Sequence, residues 1–240
     1  MITRFLAAVL FCMAAATNAG AQTQGRRADV VVELYTSQGC TQCPRANRLL
    51  GSLSRTEGVL GLTFPVGIWD YLGWSDTFAR PEFTDRQRAF SEALRERRRT
   101  PQLILNGARQ VSASSWDDAR AALDAERAAP STPIDISLVR ARGGRVRVAI
   151  GESSSSPGAD VWWVDYDSDQ ISVLITRGLN RNRSVSHYNL VRRIERLGSW
   201  TGAATTYERS RCLPSCAVLV QEPNGGRVLA AAYIERRGRR

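Results

Sequence analysis

No lysine occurs anywhere in the chain, and histidine occurs once, at His187. All 33 basic residues are therefore arginine, set against 23 acidic ones for a formal charge of +10. A single histidine excludes a histidine-built metal cluster and leaves a Cys-His catalytic pair only this one residue to draw on. It is expected as a hydrogen-bonded core or surface side chain. Neither a Gly-x-Ser-x-Gly elbow nor a glycine-rich phosphate loop is present, so hydrolase and nucleotide readings have no anchor. Nor do the arginines interleave with aromatics in a nucleic-acid recognition motif. They read as codon preference on solvated surface, with acidic-partner binding as the alternative. No nucleic-acid partner is expected.

Long apolar runs are missing as well, and nothing approaches the ~18–20 apolar residues of a membrane span. Met1 to Ala21 has the features of a signal peptide: Arg4, an apolar run over Phe5–Phe11, and a small-residue cleavage site at Ala19-Gly20-Ala21. Cys12 lies inside it behind the bulky Phe11, which does not suit a lipoprotein cleavage site, so it is expected to be removed. The mature chain is expected to be periplasmic or secreted, without membrane attachment. Its charge falls from +10 to +9 with Arg4 gone, because the leader holds no acid. Four of the five cysteines remain, Cys40, Cys43, Cys212 and Cys216, an even number suited to an oxidising compartment.

What is present is concentrated between Val30 and Leu50. Val30-Val31-Val32 begins a β-branched strand, Gly39 permits a sharp turn, and Cys40-Thr41-Gln42-Cys43 is followed by Pro44, a residue suited to a first helical turn. Free backbone N–H groups at such a helix start stabilise a thiolate at Cys40, and i, i+3 spacing brings two sulfurs within bridging range. The pattern is that of a dithiol/disulfide redox centre.

Periodicity orders the region up to residue 129 as β-α-β-α-β-β-α. Strands are expected over 29–36 and 60–68, and helices over 44–56 (Ala46, Leu49, Leu50 and Leu53 inward) and 82–99 (Phe83, Phe90 and Leu94 inward). A strand over 100–107 ends in an Asn106-Gly107 turn with a short partner over 109–111. Ser114 or Ser115 caps a helix over 116–128 that turns Trp116, Ala119 and Leu123 inward. After the linker-like Ala128–Pro133, residues 130–240 read as an antiparallel, sandwich-like β domain. Its strands fall over 134–139, 145–150, 160–166, 171–176, 217–221 and 227–234, while 185–196 is open between strand and helix. The arginine-rich tail over 236–240 is expected to fray. Cys212 and Cys216 close a small loop around Pro214. A structural disulfide is the simple reading, with a second redox pair or a four-cysteine zinc site as alternatives.

Glu33–Pro44, Trp69–Asp76, Arg86-Gln87 and Thr100-Pro101-Gln102 resemble an uncharacterised secreted thioredoxin-like family of proteobacteria, the domain of unknown function 1223. The family pattern has His-Val-Asp-Tyr before the Trp-Asp pair, where this chain has Pro65-Val66-Gly67-Ile68. The resemblance implies a thioredoxin-like α/β domain over 22–129 in which Thr100-Pro101 is cis and faces Cys40 and Cys43. It further implies an exported thiol–disulfide oxidoreductase acting on protein thiols and disulfides, with no cofactor and no metal. Cys40 would be the exposed attacking thiolate, Cys43 the resolving thiol, Pro101 the substrate-orienting residue and Glu33 a proton acceptor of raised pKa, unless Glu33 is a solvated edge residue. Thr100, Trp69, Tyr71 and Trp74 would line a substrate groove, unless the aromatics only pack. The alternatives are a scaffold braced by two disulfides, which the missing His and Asp favour, and a Cu(I)-binding protein. Direction of electron flow and oligomeric state are not legible in the residues.

Overall fold

The computed structural model describes residues 22–130, 133–154 and 158–236. Met1–Ala21, where a signal peptide is expected, residues 131–132 of the expected linker, residues 155–157 and the expected fraying tail over 237–240 lie outside the described residues. In chain order the elements are β1 (Thr23–Gln24), β2 (Arg26–Ala28), β3 (Val30–Thr36), α1 (Cys43–Leu53) and β4 (Val59–Pro65), then a 3-10 turn at Asp70–Leu72. They continue with α2 (Pro81–Ala93), β5 (Gln102–Leu105), β6 (Arg109–Val111) and α3 (Trp116–Ala128). Next come β7 (Ile136–Arg140), β8 (Val146–Ile150), β9 (Ala159–Asp167), β10 (Ile171–Leu174) and β11 (Ser184–His187). The last are β12 (Leu190–Trp200), β13 (Thr205–Arg209), β14 (Ser215–Gln221) and β15 (Val228–Ile234).

A nine-stranded sheet in the order β2-β15-β14-β9-β12-β4-β3-β5-β6 runs through both halves of the chain. β3 and β4 are parallel, β5 runs antiparallel to β3, and β6 turns back antiparallel to β5 through the Asn106-Gly107 turn, where both residues have positive φ. The halves join twice: β2 pairs antiparallel with β15 over Arg26–Ala28, and, more narrowly, Leu190 of β12 pairs with Thr63 of β4. Side chains reinforce this second join, the Thr63 hydroxyl donating to the Tyr188 carbonyl at 2.6 Å and the Asn189 amide to the Gly61 carbonyl at 2.8 Å. The boundary near residue 130 therefore crosses no break in this sheet. β1, β7, β8 and β13 form a separate four-stranded sheet, and β10 pairs with β11.

Alternation along the strands divides the core. Val31 and Tyr35 of β3, with Leu60, Leu62 and Phe64 of β4, join Phe83 and Phe90 of α2 on one face. Burying each phenylalanine contributes roughly 1.5–3 kcal/mol. On the other face Val30, Val32 and Leu34 meet Leu50 and Leu53 of α1 and Leu123 of α3. Further along that face, Val161 and Trp163 pack against Leu138 and Val148 of the four-stranded sheet.

Several boundaries differ from the sequence reading. α2 stops at Ala93 rather than 99, because Arg95 turns left-handed (φ 55°) and the N–H groups of Arg95 and Glu96 cap the Glu92 and Ser91 carbonyls. The Arg97-Arg98-Arg99 run then leads to Thr100, which precedes proline and so disfavours helix. Ser115 caps α3 by accepting from the Asp118 N–H at 3.1 Å. Trp116, expected inward, is 41% exposed because it occupies the first helical position, where the face pattern has not yet engaged the core. The open segment 185–196 is strand on both sides of Asn189, whose φ of 47° turns the chain between β11 and β12.

Candidate active site

α1 begins at Cys43 with Pro44 behind it and Gln42 as an N-cap that makes no side-chain cap bond. Cys40 lies in the preceding turn, where the Cys43 N–H donates to the Cys40 carbonyl at 3.3 Å. Both cysteines are free thiols in the structure, and their environments differ. The Cys43 thiol, donating to Cys40, brings the Cys40 pKa down to about 6 despite burial; Thr100 and the N–H groups of Gln42 and Cys43 assist. Burial holds Cys43 well above the usual thiol range, reinforced by Cys40 and opposed by Thr36 and the Ser37 backbone. The pair therefore carries one proton near neutral pH, on Cys43.

Four segments surround Cys40. Thr100, cis to Pro101, offers its carbonyl 3.5 Å from the Cys40 sulfur. Its hydroxyl accepts from the Trp69 indole at 2.6 Å, which leaves its own proton free to point at the thiolate. Gln38 anchors the turn: its N–H donates to Asp76 at 2.7 Å and its side-chain oxygen accepts from the Trp74 indole at 2.8 Å. Burial pushes the Asp76 carboxyl up to about 6, although the Gln38 and Phe78 N–H groups both donate to it. Gly39 leaves no room for a side chain, since a Cβ there would lie 2.9 Å from the Trp69 Cβ. The fourth segment comes from the distant β10–β11 loop, where the buried Asn180 amide donates to both the Gln38 and Cys40 carbonyls at 2.8 Å.

This roof changes one expectation: Cys40 is not an exposed thiol but only 6% accessible. Trp69 and Trp74 stand beside the dithiol turn through these bonds, whereas Tyr71 projects outward, 76% exposed. Glu33 is neither solvated nor near the Cys43 thiol's partners. It faces α2, on the opposite side of the sheet from α1, and both its oxygens accept from Arg86, at 2.8 and 2.7 Å, with the Tyr35 hydroxyl donating at 2.8 Å. A carboxylate so occupied is a buried ion pair rather than a free proton acceptor.

His187 is buried, but neither ring nitrogen finds a hydrogen bond among the described residues, contrary to expectation. It sits edge-on to Phe78 at 5.6 Å, and burial, with Arg192 nearby, lowers its pKa to about 4. Cys212 and Cys216 are disulfide-bonded with Cα atoms 5.3 Å apart. That pairing leaves two thiols, and among the described residues no three histidine, cysteine or acidic side chains group as a metal site. The dithiol alone is left as a two-coordinate donor set for a soft cation.

Sequence reasoning missed Asn180, and it placed Asp76 and Arg86 in motifs without their roles at the Gln38 turn and as the partner of Glu33. Gln87 was visible only as part of a motif; its amide donates to the Arg99 carbonyl and to Gln102, both at 2.8 Å, bracing the Thr100 loop from α2. A surface cavity of about 480 Å³ opens beside β2 and α3, with neither free cysteine in its lining.

Among curated proteins none matches the chain. The crystal structure of an Agrobacterium tumefaciens protein from a structural genomics consortium is similar over 90% of this chain and 97% of its own, at 28% identity and a TM-score of 0.69. An endonuclease/exonuclease/phosphatase from Beutenbergia cavernae is matched over 41% of this chain and 22% of its own, at 17% identity and a TM-score of 0.20, too low to bear on the fold. The family model described as protein of unknown function (DUF1223) matches residues 31–221, and the chain belongs to that family.

Proposed function

We propose that the protein is an exported thiol–disulfide oxidoreductase built on a thioredoxin-like α/β unit. The observation that carries the reading is the placement of two free thiols at the start of α1, with Cys40 beside Thr100 and the cis Pro101, a setting that lowers the Cys40 pKa and raises that of Cys43. A thiolate is the attacking species in disulfide exchange. The Cys40 thiolate attacks one sulfur of a substrate disulfide; the new bond is a mixed disulfide, and the departing substrate thiolate takes a proton from solvent. Cys43 then loses its proton and attacks the Cys40 sulfur, releasing the second substrate thiol and leaving a Cys40–Cys43 disulfide. Two electrons pass from the dithiol to the substrate. A second thiol or disulfide partner restores the starting state, and the same steps run backwards for net oxidation. Thr100 and Pro101 adjoin the reacting sulfur and would hold the substrate segment.

One observation favours a second reading, a scaffold without exchange activity: Cys40 is roofed and nearly inaccessible. Cys43→Ser separates the two. The oxidoreductase accumulates mixed disulfides through Cys40 in the exported fraction, sensitive to reductant and absent from Cys40→Ser/Cys43→Ser. A scaffold traps nothing.

A further inference from the structure

Arginine is common over the whole surface, but its pairing is uneven. Away from the dithiol some arginines find carboxylates, Arg145 and Arg147 with Glu208, Arg196 with Asp160 and Arg227 with Glu126, while others, such as Arg27, Arg55, Arg120 and Arg142, are scattered singly without an ion pair among the described residues. Next to the dithiol roof the exposed arginines without a carboxylate are gathered together. Arg177, Arg181 and Arg183 sit on the loop that supplies Asn180, Arg98 and Arg99 directly precede Thr100, and Arg45 lies on the first turn of α1. None of the six makes an ion pair among the described residues. The carboxylates of the same surroundings are engaged inward, Asp76 by the Gln38 and Phe78 N–H groups and Asp70 by the Asp76 N–H. Two large apolar side chains are exposed between these charges, Tyr71 at 76% and Leu179 at 58%. They belong to neighbouring segments, because Gly178 packs against Leu72 and Trp74.

From this we infer that the disulfide exchanging with Cys40 is carried on an acidic polypeptide segment, with carboxylates flanking the reactive cysteine and an apolar residue for Tyr71 and Leu179. The inference rests on the exchange reading above and adds the substrate class. Unpaired guanidinium groups around a thiolate raise the local concentration of anions and orient them bidentately. Three separate chain segments contribute, and an extended peptide can engage all three together. The thiolate itself is screened by the same positive rim from repelling an anionic substrate.

The test compares two synthetic peptides, each closed by one disulfide and carrying leucine, one flanked by aspartates and the other by lysines. A neutral small probe, hydroxyethyl disulfide, and a dianionic small probe, 5,5′-dithiobis(2-nitrobenzoate), run beside them. The aspartate peptide is expected to react about tenfold or more faster than the lysine peptide at low ionic strength, with the ratio collapsing toward unity at high salt. Arg177→Glu/Arg181→Glu is expected to reduce or invert the ratio, while Arg120→Glu/Arg142→Glu, of equal charge change but remote from the dithiol, preserves it. Equal rates for both peptides, with the neutral probe still reacting, overturn the substrate class and leave the exchange reading standing. A salt-sensitive preference confined to the dianionic small probe overturns the polypeptide assignment. No reaction of Cys40 with any of the four overturns both.

Discussion

Two closely spaced cysteine pairs in one chain, one followed by a proline and the other enclosing one, end in different states. Cys212 and Cys216 lie against an apolar cluster with Trp163, Trp200 and Val218 and are joined as a disulfide. Cys40 and Cys43 open a helix, are free, and are surrounded by donors that favour one thiolate. Spacing alone does not separate them, since i, i+3 and i, i+4 both permit closure. The backbone does: a helix start offers unsatisfied N–H groups to a sulfur anion, and a loop over a sheet core offers nothing to stabilise one. On the proposed reading, one pair exchanges and the other stays closed.

The largest expected effect breaks that comparison outright. Cys40→Ser abolishes disulfide exchange to background, whereas Cys212→Ser/Cys216→Ser leaves the exchange rate within a few-fold, both read with the neutral small disulfide. The next sharpens it by separating fold from site. Arg86→Met strands Glu33 as a buried unpaired charge and is expected to cost roughly 3–5 kcal/mol in denaturant unfolding. Glu33→Leu/Arg86→Met recovers most of that loss, and neither variant moves the pH midpoint of Cys40 alkylation. Opening the second pair by Cys212→Ser/Cys216→Ser costs about 2 kcal/mol, the loop-closure value for so short a ring.

The smallest effects concern pH. Cys40 should be alkylated with a midpoint about 6, and Cys43 only far above it. Because folding lowers the Cys40 pKa from 9.0 to about 6, its contribution to the stability of the reduced protein is complete above about pH 9 and disappears as pH falls through about 6. Thr100→Val removes a hydroxyl donor without changing shape and should raise the Cys40 midpoint by roughly one unit. An unchanged midpoint would remove Thr100 from the account of the thiolate.

Local features of this site were legible in the residues. Val-rich β3, the Gly39 turn, the two cysteines and Pro44 sit where the pattern placed them, and Ser115 caps α3 as its position before the apolar periodicity required. What escaped was set by contacts distant in sequence. Asn180 reaches Cys40 across 140 positions from a polar loop that reads as surface. Glu33 finds Arg86 across 53 positions, which converts a residue that interrupts an apolar strand into half of an ion pair. The pairing of β12 with β4 hangs on a single position, Leu190 with Thr63, and β2 joins β15 from the far end of the chain; no periodicity announces either. Trp116 was misplaced because a helix-period pattern says nothing about whether its first turn reaches the core.

The most direct test of an exchange-competent dithiol is the reduction potential of Cys40/Cys43, measured against glutathione in the Cys212→Ser/Cys216→Ser background by thiol alkylation. A thiolate stabilised near neutral pH stabilises the reduced form and raises the potential, so a value above about −230 mV is predicted. A value below about −300 mV, with Cys40 slow to alkylate at neutral pH, would mean that this pair is a structural staple like its counterpart at Cys212 and Cys216, and would contradict the account.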